Sequence, residues 1–201
     1  MPETIYPQVL YTFLDFTFDT KVERKVLDCG AGGSDPKMAL FVEHGFETHG
    51  IEILEDRLEM AEKYAEENKI NFKIIKGDMR SLPYDSESFG FAYSYNTIFH
   101  MNQEDIGNAI DEMFRVIKKG GLIYLNLLSI DDIRYGRGIE ISPGVFMEEF
   151  NGERFSHTFF KHDEADHYFS KHKIMYKQIR IEYYYESAYI KRGLIDYIIR
   201  K

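Results

Sequence analysis

The sequence predicts an α/β domain built on a mostly parallel sheet with helices on both faces. Three observations carry that expectation. Short apolar runs alternate with segments of helical period from Lys25 to Leu128. A turn with three glycines, Gly30, Gly32 and Gly33, follows the first apolar run. The last third of the chain changes to a period of two.

Taken in order, the first eighteen residues suit a helix, and Lys25 to Cys29 is a buried strand with Asp28 near its end. Met38, Phe41 and Val42 recur at helical spacing, and Glu47 to Ile51 is a second strand. Leu54, Leu58, Ala61 and Ala65 mark a helix whose other face is rich in Glu. Phe72 to Lys76 and Phe89 to Tyr95 are the third and fourth strands. Ile106, Ala109, Ile110, Met113 and Ile117 mark a long amphipathic helix, with Lys118 and Lys119 in its last turn and Gly120 and Gly121 as its stop. Leu122 to Leu128 is apolar enough for burial on both faces. Strands that alternate with helices imply parallel pairing through right-handed crossovers. Ser129 to Phe160 shows no clear period, and a long irregular connection is usually a lid or binding loop. Ile179, Ile181, Tyr183 and Tyr185 alternate with Arg180, Glu182, Tyr184 and Glu186. Tyr189 to Arg200 is their expected antiparallel partner, at an edge.

Composition narrows the function. A chain of 201 residues is one domain by size. Its division is 1–24 as an N-terminal helix or lid, 25–128 as the binding core, 129–161 as a lid or acceptor insertion and 162–201 as a helix plus strand pair. Basic residues number 25 and acidic residues 34, a net charge of −9. Nucleic acid and anionic membrane surfaces are poor partners for such a chain. One cysteine, Cys29, permits no intrachain disulfide and fits a reducing compartment such as the cytoplasm; it reads as a small buried filler. Glu3, Asp15 and Asp19 argue against a secretory signal, and no apolar stretch approaches the ~20 residues that span a bilayer.

The glycine turn carries the chemistry. Glycines let the backbone bend sharply and let a ligand approach closely. A dinucleotide pattern needs a third glycine where Asp35 stands, and a carboxylate there, with Asp28 at the strand tip, repels a pyrophosphate. The turn suits a ligand with a nucleoside, a positive centre and an amino-acid end. Asp28-x-Gly30-x-Gly32-Gly33 resembles the first motif of class I S-adenosylmethionine (SAM)-dependent methyltransferases, with Ser34 in place of the last glycine and suited to capping the next helix. Gly50-Ile51-Glu52, Gly77-Asp78-Met79, Leu82-Pro83-Tyr84-Asp85 with Ser88-Phe89, and Arg115 to Gly121 follow in that family's order, covering Lys25 to Leu128.

The resemblance implies a doubly wound, Rossmann-like, seven-stranded sheet with an antiparallel last strand. It is closest to the small single-domain type that includes quinone-biosynthesis methyltransferases. It implies SAM as cofactor, S-adenosylhomocysteine as product, Glu52 on the ribose hydroxyls and Asp78 on the adenine amino group. Asp28, Gly30, Gly32, Ile53, Met79, Ser94 and Tyr95 complete the cofactor contacts it implies. The implied reaction is in-line methyl transfer to an O, N or C centre of a small molecule, by a monomer or homodimer. A non-catalytic SAM-binding regulatory module is the alternative.

Positioning can supply roughly 7–11 kcal/mol of such a reaction's barrier reduction. No metal is required. His100 is the candidate base, and Asn96 is the candidate for holding an acceptor hydroxyl. His157, His162, His167 and His172 recur every five residues, which on a helix would point them to different sides and away from a common metal. Asp163 and His167 are spaced to pair on a helix surface. Tyr135, Phe146, Phe150 and Phe155, with Tyr6, Tyr11 and Phe18, are candidates for an aromatic lid; Arg134 and Arg137 are candidates for an anionic acceptor group.

Overall fold

The structure, a computed structural model, describes residues 5–150, 152–184 and 190–201. Glu3, Tyr185, Glu186 and Tyr189, and the side chains of Phe150 and Tyr184, lie outside the described residues. Helix α1 (Gln8–Phe18) precedes strand β1 (Lys25–Cys29), followed by α2 (Met38–Glu43), β2 (Glu47–Glu52), α3 (Glu55–Asn68), β3 (Lys73–Lys76) and β4 (Phe89–Ser94). Then come α4 (Gln103–Val116), β5 (Ile117–Ser129), β6 (Ile139–Ser142), β7 (Val145–Phe150), β8 (Glu153–Phe160), β9 (Lys173–Tyr184) and β10 (Ile190–Arg200).

The main sheet runs β3-β2-β1-β4-β5-β10-β9. The first five of these strands pair in parallel, and β10 is antiparallel to both β5 and β9. Successive residues face opposite sides of a strand. Accordingly Leu27, Ala92, Ile123 and Leu125 pack with Ile106, Ile110 and Met113 of α4. Their neighbours Val26, Phe91, Leu122 and Tyr124 pack with α1 and α2 through Leu10, Phe13 and Phe41. Helix α4 starts at Asn102, whose side chain accepts the Asp105 amide proton at 2.9 Å.

The structure changes several expectations. Strand β10 lies inside the sheet and β9 forms the edge, because β10 pairs along both sides. Helix α4 ends at Val116, so Lys118 and Lys119 belong to β5, and Arg115 is the basic residue of the last turn. Helix α2 starts at Met38, too far along for Ser34 to cap it. Residues 129–160 include an antiparallel ribbon, β6-β7-β8, rather than an irregular loop. Periodicity did not reveal it because β6 is exposed throughout. Strand β8 joins β5 at Leu128 and Ser129, beyond the last β4–β5 pair at Ser94 and Leu125. Since β10 occupies the other side of β5, the ribbon stands over the carboxyl end of β4.

The four spaced histidines are not on one helix. His157 is on β8, His167 is in a short 3-10 turn (Glu164–Phe169), and His162 and His172 lie in the flanking connections. Asp163 pairs with Lys177, while His167 bonds the Glu164 carbonyl, so those two do not meet as expected. The aromatic group also divides. Tyr6 joins the α1 cluster, whereas Tyr135, Phe146 and Phe159 pack on one another in the ribbon region. Among the described residues no helix is long and apolar enough to cross a membrane.

Candidate active site

Two cavities open along the carboxyl end of the parallel strands, where an open α/β sheet places its ligands. The larger, about 430 Å³, is lined by Glu52, Ile53, Asp78, Met79 and His100, and is covered by Ile141, Val145 and Ser156 of the ribbon. The smaller, about 210 Å³, is lined by Asp28, Gly32, Lys37, Arg57, Tyr95 and Asn96. Gly30 and Thr97 border both.

The glycine turn is built to let these cavities form. Gly30 has φ +100°, and a Cβ there would fall 2.4 Å from the Thr97 methyl. A Cβ on Gly32 would fall 2.5 Å from Glu52 Oε2. Glu52 ends β2 almost fully buried and accepts three backbone protons: Gly32 at 3.0 Å, Ile53 at 2.9 Å and Leu54 at 3.0 Å. One carboxylate therefore ties the glycine turn to the start of α3. A carboxylate has about four acceptor positions, so one remains for a ligand.

Asp78 lies two residues past the end of β3. Arg80 donates to both its oxygens, Nε at 3.0 Å to each, and Arg80 Nη1 also reaches Asp105 at 3.0 Å. The Arg80 hydrogen bonds hold the Asp78 carboxyl below its usual range and keep it ionised. Asp28 is 2 % exposed at the end of β1 and accepts the Tyr93 hydroxyl at 2.6 Å on Oδ2. Burial pushes its carboxyl up to about 7; the Tyr93 bond and Lys37 act against this, and Glu52 adds to it. Cys29 is buried and its thiol is pushed well up by burial, as suits a packing residue.

Beyond β4 the backbone turns through Asn96, at φ +58°. Asn126 on β5 holds it there. Its Oδ1 accepts the Asn96 amide proton at 2.7 Å, and its Nδ2 donates to Asn96 Oδ1 at 2.7 Å. Asn126→Ala is expected to cost about 2–4 kcal/mol, because it leaves an amide and a carbonyl oxygen without partners. Urea unfolding checks this, and an unchanged midpoint would contradict it.

His100 stands at the mouth of the larger cavity. Its ring lies 4.8 Å from His157, centroid to centroid, and 4.9 Å from Phe99. Burial, with Arg134, Arg192 and Arg57 nearby, holds its imidazole below the ordinary range and so neutral at pH 7. His157 is pushed down to about 4, chiefly by burial. Arg134, gripped by the buried Asp132 at 2.9 Å, approaches His157 Nε2 at 3.3 Å.

The structure thus gathers Glu52, Ile53, Asp78, Met79 and His100 around one cavity, and Asp28, Gly32, Tyr95 and Asn96 around the other. Ser94 is fully buried and lines neither. Asn96 faces the smaller cavity with its side-chain oxygen already taken. Lys37, Arg57, Arg80, Thr97 and Asn126 were not among the expected site residues. Lys37, Thr97 and Arg80 adjoin Asp35, Asn96 and Asp78 but carry no pattern of their own, whereas Arg57 and Asn126 are brought in by α3 and β5. Arg137 is exposed, away from both cavities. Among the described residues no cluster of three or more His, Cys, Asp or Glu is arranged to hold a metal.

A family model described as "Methyltransferase domain" matches residues 26–121. The uncharacterized methyltransferase YcgJ of Bacillus subtilis is 29% identical over 110 residues, covering 54% of this chain and 42% of that protein. A sterol 24-C-methyltransferase of Pneumocystis carinii is 28% identical over 131 residues, covering 60% and 34%. These matches span less than half the length of either relative. A crystal structure of a SAM-dependent methyltransferase from Methanosarcina mazei superposes with a TM-score of 0.78 at 21% identity, covering 98% of each chain. Residues 26–121 thus match the model of a methyltransferase domain, and over its length the chain has the fold of the Methanosarcina mazei SAM-dependent methyltransferase.

Proposed function

We propose that this protein binds SAM across its two cavities and transfers the methyl group to an O, N or C centre of a small molecule. The observation that carries this reading is the junction at Gly30 and Thr97, where an acid-lined apolar cavity meets a small charged one. The residues present fit the cofactor. Glu52 keeps an acceptor position for a ribose hydroxyl, and Asp78, fixed by Arg80, faces the adenine position beside Ile53 and Met79. Asp28 Oδ1 is buried without a partner at the smaller cavity, where an ammonium would satisfy it. Gly30 and Gly32 leave room that a Cβ would fill.

The cofactor supplies a methyl group already activated by its positive sulfur. The chain's own residues bind, orient and exclude water. Thr97 and the Asn96–Asn126 pair fix the wall beside the transfer point, a positioning role for Asn96. The β6-β7-β8 ribbon acts as the cover, held down where Ser156 Oγ donates to the His100 carbonyl at 3.0 Å and Thr158 bonds the Met101 carbonyl. A dry site favours a reaction in which charge is lost from sulfur. His100 serves as the base for an acceptor that keeps its proton until transfer, since a neutral imidazole facing the cavity can accept it.

Isothermal titration tests the reading. S-adenosylhomocysteine should bind at one site per chain, and NAD should give no heat of binding. A folded sample that binds neither overturns the proposal.

A further inference from the structure

Strand β9 closes one side of the sheet, and among the described residues β10 is its only ladder partner. It is 12 residues long, and its Ile179, Ile181 and Tyr183 share one face and are exposed. A long apolar edge invites pairing with another strand unless something covers or charges it. The backbone shows which residues turn outward. In an antiparallel ladder, two opposite residues either exchange both backbone hydrogen bonds or both turn away. Gly193, opposite Ile181, donates its N–H to Asp132 at 3.2 Å, just past β5 and away from β9. Lys191, opposite Tyr183, offers its carbonyl to the Ile133 amide at 2.9 Å on that same side. Ile181 and Tyr183 therefore turn their N–H and C=O groups to the outer side of β9, and by alternation so does Ile179.

We propose that β9 pairs antiparallel with β9 of a second copy of this chain, about a two-fold axis at Ile181. Charge fixes both the occupant and the register. Arg180 and Glu182 lie on the other face of the strand and pair with each other, and Arg180 is anchored by the buried Asp196 at 2.8 Å. With the axis at Ile181, Arg180 of each copy faces Glu182 of the other. An axis at Arg180 or at Glu182 would set a charge against its own kind, which is destabilising. An axis at Ile179 would face Arg180 with Gln178 and set Lys177 against Ile181. The apolar stripe agrees with the charges, since Ile181 then meets Ile181, and Ile179 meets Tyr183. So does the backbone. The outward-turned residues fall at hydrogen-bonded positions on both sides of the axis. Arg180 and Glu182 fall at non-hydrogen-bonded positions, where opposite side chains come closest. Such a contact uses the same patch on both copies and closes at a dimer, leaving no β9 edge open.

Sedimentation equilibrium of the full chain over a series of concentrations tests the association. The mass should rise from one chain toward two and stop there. Ile181→Lys sets two cations against each other on the axis, and should stay monomeric where the wild type is dimeric, with an unchanged circular dichroism spectrum. Cysteine variants read the register. Ile181→Cys should form an intermolecular disulfide with itself under a mild oxidant, since opposite Cα atoms at such a position lie about 5.5 Å apart, within disulfide reach. Ile179→Cys should not link to itself, because its two copies lie about 14 Å apart along the strands. It should link to Tyr183→Cys when the two variants are mixed. Cys29 is buried and does not compete. A wild type that stays monomeric throughout overturns the proposal. So does a dimer that survives Ile181→Lys, which would put the interface on another face. Self-linking of Ile179→Cys as efficient as that of Ile181→Cys overturns the register and the proposal with it. If Ile181→Lys does not fold, the cysteine variants and the wild-type mass decide the matter.

Discussion

Replacing Glu52 with alanine is expected to lower stability by about 3 kcal/mol and to remove measurable cofactor binding in the same variant. Viewed as a ribose ligand at the end of a buried strand, Glu52 should be dispensable for folding. The structure adds a contribution to folding that this view leaves out. The two oxygens that face the cavity also accept the amide protons of Gly32, Ile53 and Leu54. A hydrogen bond to a charged group contributes about 1.5–3 kcal/mol, and losing three would cost more if the freed amides stayed dry. They lie beside a cavity, so water recovers part of the loss, and the lower figure applies. Urea unfolding and titration with S-adenosylhomocysteine check the two halves separately. An unchanged unfolding midpoint would mean the amides are already hydrated. Unchanged affinity would sink the ribose role. Glu52→Gln keeps one accepting oxygen but turns an amide nitrogen toward backbone donors, so an intermediate loss of stability is expected.

The second large effect is a dependence of ligand-free stability on pH that runs against the usual direction for an aspartate. Asp28 is raised from 3.8 to about 7 in the folded protein. A group raised on folding contributes stability that is fully present below its unfolded pKa. That contribution is lost as pH rises through the folded value. The loss therefore develops between about pH 4 and pH 7. Three units correspond to about 4 kcal/mol, the upper bound of this one contribution. Asparagine is isosteric, stays neutral and still accepts from Tyr93. D28N should therefore match the wild type near pH 4 and exceed it by a few kcal/mol near pH 8, provided no ligand is bound. The comparison is a series of urea titrations of both proteins at several pH values. The difference between the curves isolates Asp28 from the carboxylates whose pKa values shift the other way, such as Asp132 beside Arg134. A stability difference independent of pH would show that the carboxylate is solvated.

The parallel core was legible because its signals are local. Strands β1 and β4 and the Leu122–Leu128 part of β5 are largely apolar runs, and α3 and α4 repeat at 3.6 residues, so each announces itself within its own segment. The cofactor side was legible for the same reason. Asp28, Glu52 and Asp78 stand at or just after the ends of successive strands, and the α/β rule turns strand ends into one edge. Gly30 and Gly32, singled out in the glycine turn, border the cavities, and His100, expected as a base near an acceptor beyond the fourth strand, lines the larger one.

What stayed hidden depends on pairing between distant segments. The ribbon escaped because a strand exposed on both faces, such as β6, carries no alternation to read. The position of β10 inside the sheet is a property of its partners on either side, and its own sequence says only that it is apolar. Asn126 looks like one polar residue in an apolar strand. Its role in holding Asn96 appears only when β4 and β5 are laid side by side. Arg80 and Arg57 are unremarkable in sequence and acquire their work from where a loop and a helix set them down. By itself, then, the sequence determined the layered α/β core and pointed to the carboxyl ends of its strands as the site, since these follow from periodicity and from which residues end the strands, while the cofactor it suggests came from the resemblance of its motifs. Only the tertiary structure decided which groups share a cavity, which acid is left half satisfied and what covers the larger cavity, because hydrogen-bond saturation and burial are set by neighbours that the chain brings together from afar.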